Sequence, residues 1–133
     1  MSKPVLVDTG PLFDLADPSD QFHTRARREL ARLEAHGYDV AAAYPTICEA
    51  YTLVLRRLGG AYAQGWLAEI LDGVMAINPE PGDYRVAVRR LMDYPDQAIT
   101  LFDGVVAALT ELLKFPVWTY DRHFDLMGVS RWK

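Results

Sequence analysis

The strongest constraint on the fold is that short apolar runs and amphipathic stretches take turns along the chain. Residues 4–7, Pro-Val-Leu-Val, form an apolar run cut off by the turn signal Asp8-Thr9-Gly10-Pro11, and read as a buried strand ending at about Asp8. A loop and a short turn or helix at 12–16 follow. Residues 21–36 place Phe22, Ala26, Leu30 and Leu33 at three- and four-residue spacing between charged positions, the period of an amphipathic helix, with Gly37 as its stop. A second strand is expected at 39–44 and a helix at 46–58, closed by Gly59-Gly60. Beyond them the pattern predicts a helix at 61–71, a short strand at 74–77 and a helix at 83–92. A long helical region at 96–114, a β-prone run at 116–120 and a short helix at 122–127 complete the series.

Strands alternating with helices predict a mainly parallel sheet with helices on its faces, in a chain whose 133 residues suit one domain spanning 1–133. In open sheets of this kind, ligands bind along the carboxyl ends of the strands, where loops and helix N-termini gather. Function is therefore sought along that edge.

The net charge of −4 gives the molecule no global attraction for nucleic acid. The basic residues are nevertheless mostly arginine, grouped at Arg25, Arg27, Arg28 and Arg32, at Arg56 and Arg57, and at Arg89 and Arg90. Such groups suit phosphate because a guanidinium donates two hydrogen bonds to one anion, although they also mark ordinary solvated helix faces. Cys48 is the single cysteine, so an internal disulfide is excluded and a reducing, cytoplasmic setting is expected. No run approaches the length of a signal-peptide core or membrane span, and no membrane association is expected.

Asp8 follows the first strand and Asp121 follows the last, so both are expected on the carboxyl edge. Glu49, just past the second strand, is expected in the first turn of the next helix. There, Thr46-Ile47-Cys48-Glu49 also spells a capping box, in which the acid bonds back to the N-cap amide. Asp103 bears the same relation to Thr100, but no strand precedes it closely, and the pattern does not bring it to the edge. Carboxylates gathered on one edge repel one another unless a cation intervenes. Mg²⁺ takes oxygen ligands and is commonly held by carboxylates together with a substrate phosphate, which points to phosphodiester chemistry.

The segments Val-Leu-Val-Asp-Thr-Gly-Pro-Leu (5–12), Thr-Ile-Cys-Glu-Ala (46–50), Leu-Phe-Asp-Gly-Val-Val-Ala-Ala-Leu (101–109) and Thr-Tyr-Asp-Arg-His-Phe (119–124) together resemble the PIN domain, particularly the VapC-type toxin ribonucleases. The resemblance implies a three-layer α/β/α sandwich and Mg²⁺- or Mn²⁺-dependent cleavage of RNA. Asp8, Asp103 and Asp121 would be metal ligands, with Glu49 binding directly or through water. Thr9 would orient Asp8 and Thr119 would orient Asp121, while Asp96 and Asp125 would lie at the surface or just behind the ligands. The resemblance also implies a cognate antitoxin and a homodimer. Gly104 stands where that family more often has Ala, and a glycine inside a helix costs up to roughly 1 kcal/mol relative to alanine.

Other readings fit less well. Asp8-Thr9-Gly10 is also the triplet of aspartic proteases, but that chemistry needs a β-rich scaffold and a second aspartate sharing a proton. A phosphoacceptor domain needs a lysine at a strand end, and Lys3, Lys114 and Lys133 are not so placed. No Gly-rich phosphate loop followed by Lys-Ser or Lys-Thr is present. Nor do His23, His36 and His123 form a nucleophile arrangement with Cys48. A PIN-like RNA- or protein-binding module without catalysis is the chief rival, and loss of the acids would be its mark.

Overall fold

Val5, Leu6 and Val7 are fully buried because β1 (Lys3–Val7) is a central strand with neighbours on both edges and helices on both faces. The computed structural model describes residues 2–133. Its strands β1, β2 (Tyr38–Ala43), β3 (Met75–Ile77) and β4 (Val117–Trp118) form one sheet in the order β3-β2-β1-β4, with all three pairings parallel. Between them run α1 (Thr9–Ala16), α2 (His23–Ala35), α3 (Tyr44–Leu58), α4 (Gly60–Gly73), α5 (Pro81–Met92) and α6 (Leu101–Leu113), with α7 (His123–Leu126) after β4.

Alternation along the strands divides the core in two. Val5, Val7, Ala42 and Trp118 face one side and pack with Leu12, Leu33, Ile47, Val54 and Trp66 of α1 to α4. Leu6, Ala41, Ala43 and Val117 face the other and pack with Ala87, Val106, Leu109 and Phe124 of α5 to α7. The result is the expected three-layer α/β/α arrangement around a parallel sheet. In α4, Trp66 belongs to the core, whereas Tyr62 and Leu71 stay exposed. Among the described residues, no helix is long and apolar enough to cross a membrane.

Three boundaries depart from expectation. The loop expected after the first strand is absent, since α1 begins at Thr9 with Pro11 in its first turn, where a missing N–H costs no helical hydrogen bond. Helix α3 likewise begins at Tyr44, directly from β2, with Pro45 in its first turn. The long helix expected over 96–114 starts only at Leu101. Thr100 caps it, its hydroxyl accepting the Asp103 N–H at 3.1 Å while Asp103 Oδ2 accepts the Thr100 N–H at 3.2 Å.

The glycine at 104 has a packing reason. A Cβ there would lie 3.3 Å from both Cβ and the carbonyl oxygen of Ala87 and 3.4 Å from Cδ2 of Leu91, so glycine lets α6 approach α5 closely. Local order near Asp103 is thus secured by helix contact. Gly104→Val is expected to destabilise the protein by about 1–3 kcal/mol through overpacking, measured as a lower urea midpoint.

Candidate active site

The chain moves from β1 to β2 and β3 on one side, then returns to place β4 on the other side of β1. The carboxyl ends of β1 and β4 therefore flank a topological switch point, where the flanking loops diverge and leave a crevice. A cleft of about 640 Å³ opens there. Asp8, Glu49, Asp103 and Asp121 all line it, with Thr9, Thr100, Tyr120 and His123 among the other lining residues.

Each acid arrives from a different element. Asp8 is the N-cap residue of α1, yet its side chain makes no capping bond; Oδ2 instead accepts the Thr119 hydroxyl at 2.8 Å. Glu49 lies in the second turn of α3 because that helix starts early. It does not cap, and the expected box with Thr46 is absent: Glu49 Oε1 accepts the Thr9 hydroxyl, and Thr46 is buried inside the helix. Asp103 both caps α6 and lines the cleft, so its two candidate roles coexist. Asp121 Oδ1 accepts the His123 backbone N–H at 2.9 Å, which shapes the turn into α7.

The hydroxyls of the two threonines donate to other carboxylates than those expected of them. Thr9 holds Glu49 rather than Asp8, because the start of α1 packs beside α3. Thr119 donates its hydroxyl to Asp8 and accepts the backbone N–H of Asp121 at 3.0 Å, so one side chain ties the two strand-end acids together. Asp96 is exposed in the stretch before α6 and does not line the cleft. Asp125 is also exposed; it pairs with Arg131 at 2.9 Å, and Arg131 donates to the Thr119 carbonyl at 3.1 Å.

His123 is the residue that sequence reasoning passed over. One donor atom from each of Asp103, Asp121 and His123 lies within 4.8 Å of the others. The available signal was its position two residues after Asp121, which a short helix turns back toward the same carboxylate.

The electrostatics fit a cation. Among the described residues, no Lys, Arg or His forms an ion pair with Asp8, Glu49 or Asp103. Asp8, only 6% exposed, has its pKa pushed up to about 7. Burial is the main cause, hydrogen bonds from Thr119 and the Thr9 backbone oppose it, and the charges of Asp103 and Asp121 add to it. Burial likewise raises Asp103, against the Thr100 backbone bond and with the charges of Asp121 and Glu49. Oxygen-rich, mutually repelling donors, three of them with no ion-pair partner among the described residues, suit a divalent ion.

Fold and cleft together define an α/β protein whose carboxylates meet at the switch point of a parallel sheet. The chain belongs to the PIN domain family, whose model matches residues 5–129. No curated protein matches it by sequence. Among solved structures it is similar to Mycobacterium tuberculosis VapC20, a sarcin-ricin loop cleaving toxin, with TM-score 0.85 and 20% identity over 96% of this chain and 98% of that one. It is similar to VapBC2 from Rickettsia felis, bound to a promoter DNA fragment, with TM-score 0.73 and 11% identity over 98% and 97% of the two chains. A toxin-antitoxin complex from Klebsiella pneumoniae gives TM-score 0.67 and 20% identity over 89% and 87%.

Proposed function

We propose that this chain, acting as a single domain over 1–133, is a divalent-metal-dependent endoribonuclease and the cytoplasmic toxin of a toxin-antitoxin pair. One observation carries the reading: four acids from four separate segments of a PIN-family chain converge on one cleft. Asp8, Glu49, Asp103 and Asp121 would hold Mg²⁺ or Mn²⁺. When bound, such an ion acidifies a water, neutralises charge on the phosphate and stabilises the leaving oxygen.

The protein's own contribution is to fix the donors beforehand. Thr119 holds Asp8 and the Asp121 backbone, and Thr9 holds Glu49, so the acids are oriented before substrate arrives. Arg122, on the cleft wall, offers a guanidinium to RNA phosphate where the net charge of the molecule offers no attraction. A cognate antitoxin is the expected protein partner, supported by the similarity to a toxin-antitoxin complex, and a second copy of the chain is expected as well.

The test is cleavage of a structured RNA by purified protein. Cutting in Mn²⁺ or Mg²⁺, and its loss in EDTA, is the expected result; full activity in EDTA would sink the metal mechanism. RNA binding without cutting, in either ion, would favour a non-catalytic module.

A further inference from the structure

We propose that His123 supplies an imidazole nitrogen to the cation held by Asp103 and Asp121, so that the cleft takes Mn²⁺ in preference to Mg²⁺. This rests on the cleft being a metal site, and it adds a ligand of a different chemical kind to the four acids.

With bonds of about 2.1 Å, neighbouring octahedral ligands lie about 3.0 Å apart and opposite ones about 4.2 Å. The Asp103, Asp121 and His123 donors lie within 4.8 Å of one another, and His123 Nδ1 is 3.2 Å from Asp121 Oδ1, close to the spacing of two neighbouring ligands. Small side-chain adjustments would close such a set around one ion.

Nδ1 of His123 is buried and has no hydrogen-bond partner among the described residues, although it lies near a carboxylate oxygen. That oxygen already accepts the His123 backbone N–H. A buried polar atom without a partner is costly, and coordination would satisfy it. His23 shows the contrast: its Nδ1 meets the Asp14 carbonyl oxygen at 2.8 Å.

The ring is also held in place. His123 opens α7, and the next residue, Phe124, is fully buried in the core beside α6. The imidazole is therefore carried by an anchored turn at the cleft wall. Mg²⁺ prefers oxygen ligands and gives up water reluctantly; Mn²⁺ also favours oxygen among first-row transition ions, but it takes an imidazole nitrogen more readily than Mg²⁺ does. A nitrogen placed beside two carboxylates consequently favours Mn²⁺ over Mg²⁺.

Electron spin-echo spectroscopy of the Mn²⁺-loaded protein, with Mn²⁺ and Mg²⁺ titrated by calorimetry, tests this without reference to activity. Directly bound ¹⁴N should appear in the wild type and vanish in both His123→Ala and His123→Gln. Mn²⁺ affinity should fall about tenfold in these variants, while Mg²⁺ affinity changes less than threefold. Mn²⁺ bound without ¹⁴N coupling, and lost on Asp103→Asn or Asp121→Asn, would overturn the role of His123 and leave the carboxylate site standing. Failure of the wild type to bind Mn²⁺ at all would overturn the metal site itself, and this proposal with it.

Discussion

Asp8→Asn is expected to slow RNA cleavage about a thousandfold, a loss of about 4 kcal/mol of transition-state stabilisation, without unfolding the protein. The reason lies in how the carboxylate is held. Thr119 donates to Oδ2, and in the variant the single amide oxygen would accept that bond. The amide nitrogen, a donor with no acceptor capacity, would then occupy the place of the oxygen facing the cleft. The substitution would remove a proposed metal ligand and a negative charge together at a buried position among other acids, where water replaces them poorly. The measurement is a single-turnover cleavage rate at saturating Mn²⁺, with circular dichroism melting of the same sample. Cleavage within tenfold of wild type would remove Asp8 from the machinery.

How much of this was legible in the chain depends on the distance over which each feature is encoded. The strands were legible because burial on two faces demands continuous apolar runs such as Val5-Leu6-Val7, and because helices between parallel strands must be amphipathic. Asp8 and Asp121 were legible as edge residues for the same reason, since each directly follows a strand. Asp103 was not, because its position depends on the 93–100 stretch returning the start of α6 to the sheet edge. The N-terminal signal at Thr100 was readable, but where that terminus docks was not.

The threonine pairings illustrate the same limit. A side chain's neighbours in sequence suggest what it orients, whereas Thr9 and Thr119 bond across the fold, to Glu49 and Asp8. Glu49 was placed one turn too early because the helix was expected to start at Thr46, whereas it begins at Tyr44, with Pro45 in a first turn that tolerates proline. The capping box at 46–49 thus had the right letters and the wrong helix start. The box at 100–103 formed as written, and its acid reaches the cleft as well.

The metal-free protein is expected to lose stability as pH rises from 5 to 7, and divalent metal should restore it increasingly over the same range. Asp8 titrates near 7 in the folded protein against 3.8 for an ordinary aspartate. Between those values the folded state binds a proton that the unfolded state does not, so folding stability falls with pH by about 1.4 kcal/mol per pH unit and levels off above 7. Asp14, also pushed up to about 7 by burial and by Asp20, contributes in the same direction. Asp17, whose pKa is lowered chiefly by the Ser19 hydroxyl, has the opposite sign but is ionised in both states above pH 5 and leaves this window unaffected. The Asp8 share should disappear in Asp8→Asn, leaving a shallower slope and a metal-free melting temperature at pH 8 above that of wild type. A cation reverses the balance by stabilising the ionised carboxylate, so the rise in melting temperature on adding Mn²⁺ should be small at pH 5.5 and large at pH 7.5. If the variant keeps the full wild-type slope, the buried carboxylate is not what sets it. If Mn²⁺ stabilises wild type equally at both pH values, ionisation of the cleft acids is not what prepares the site for metal.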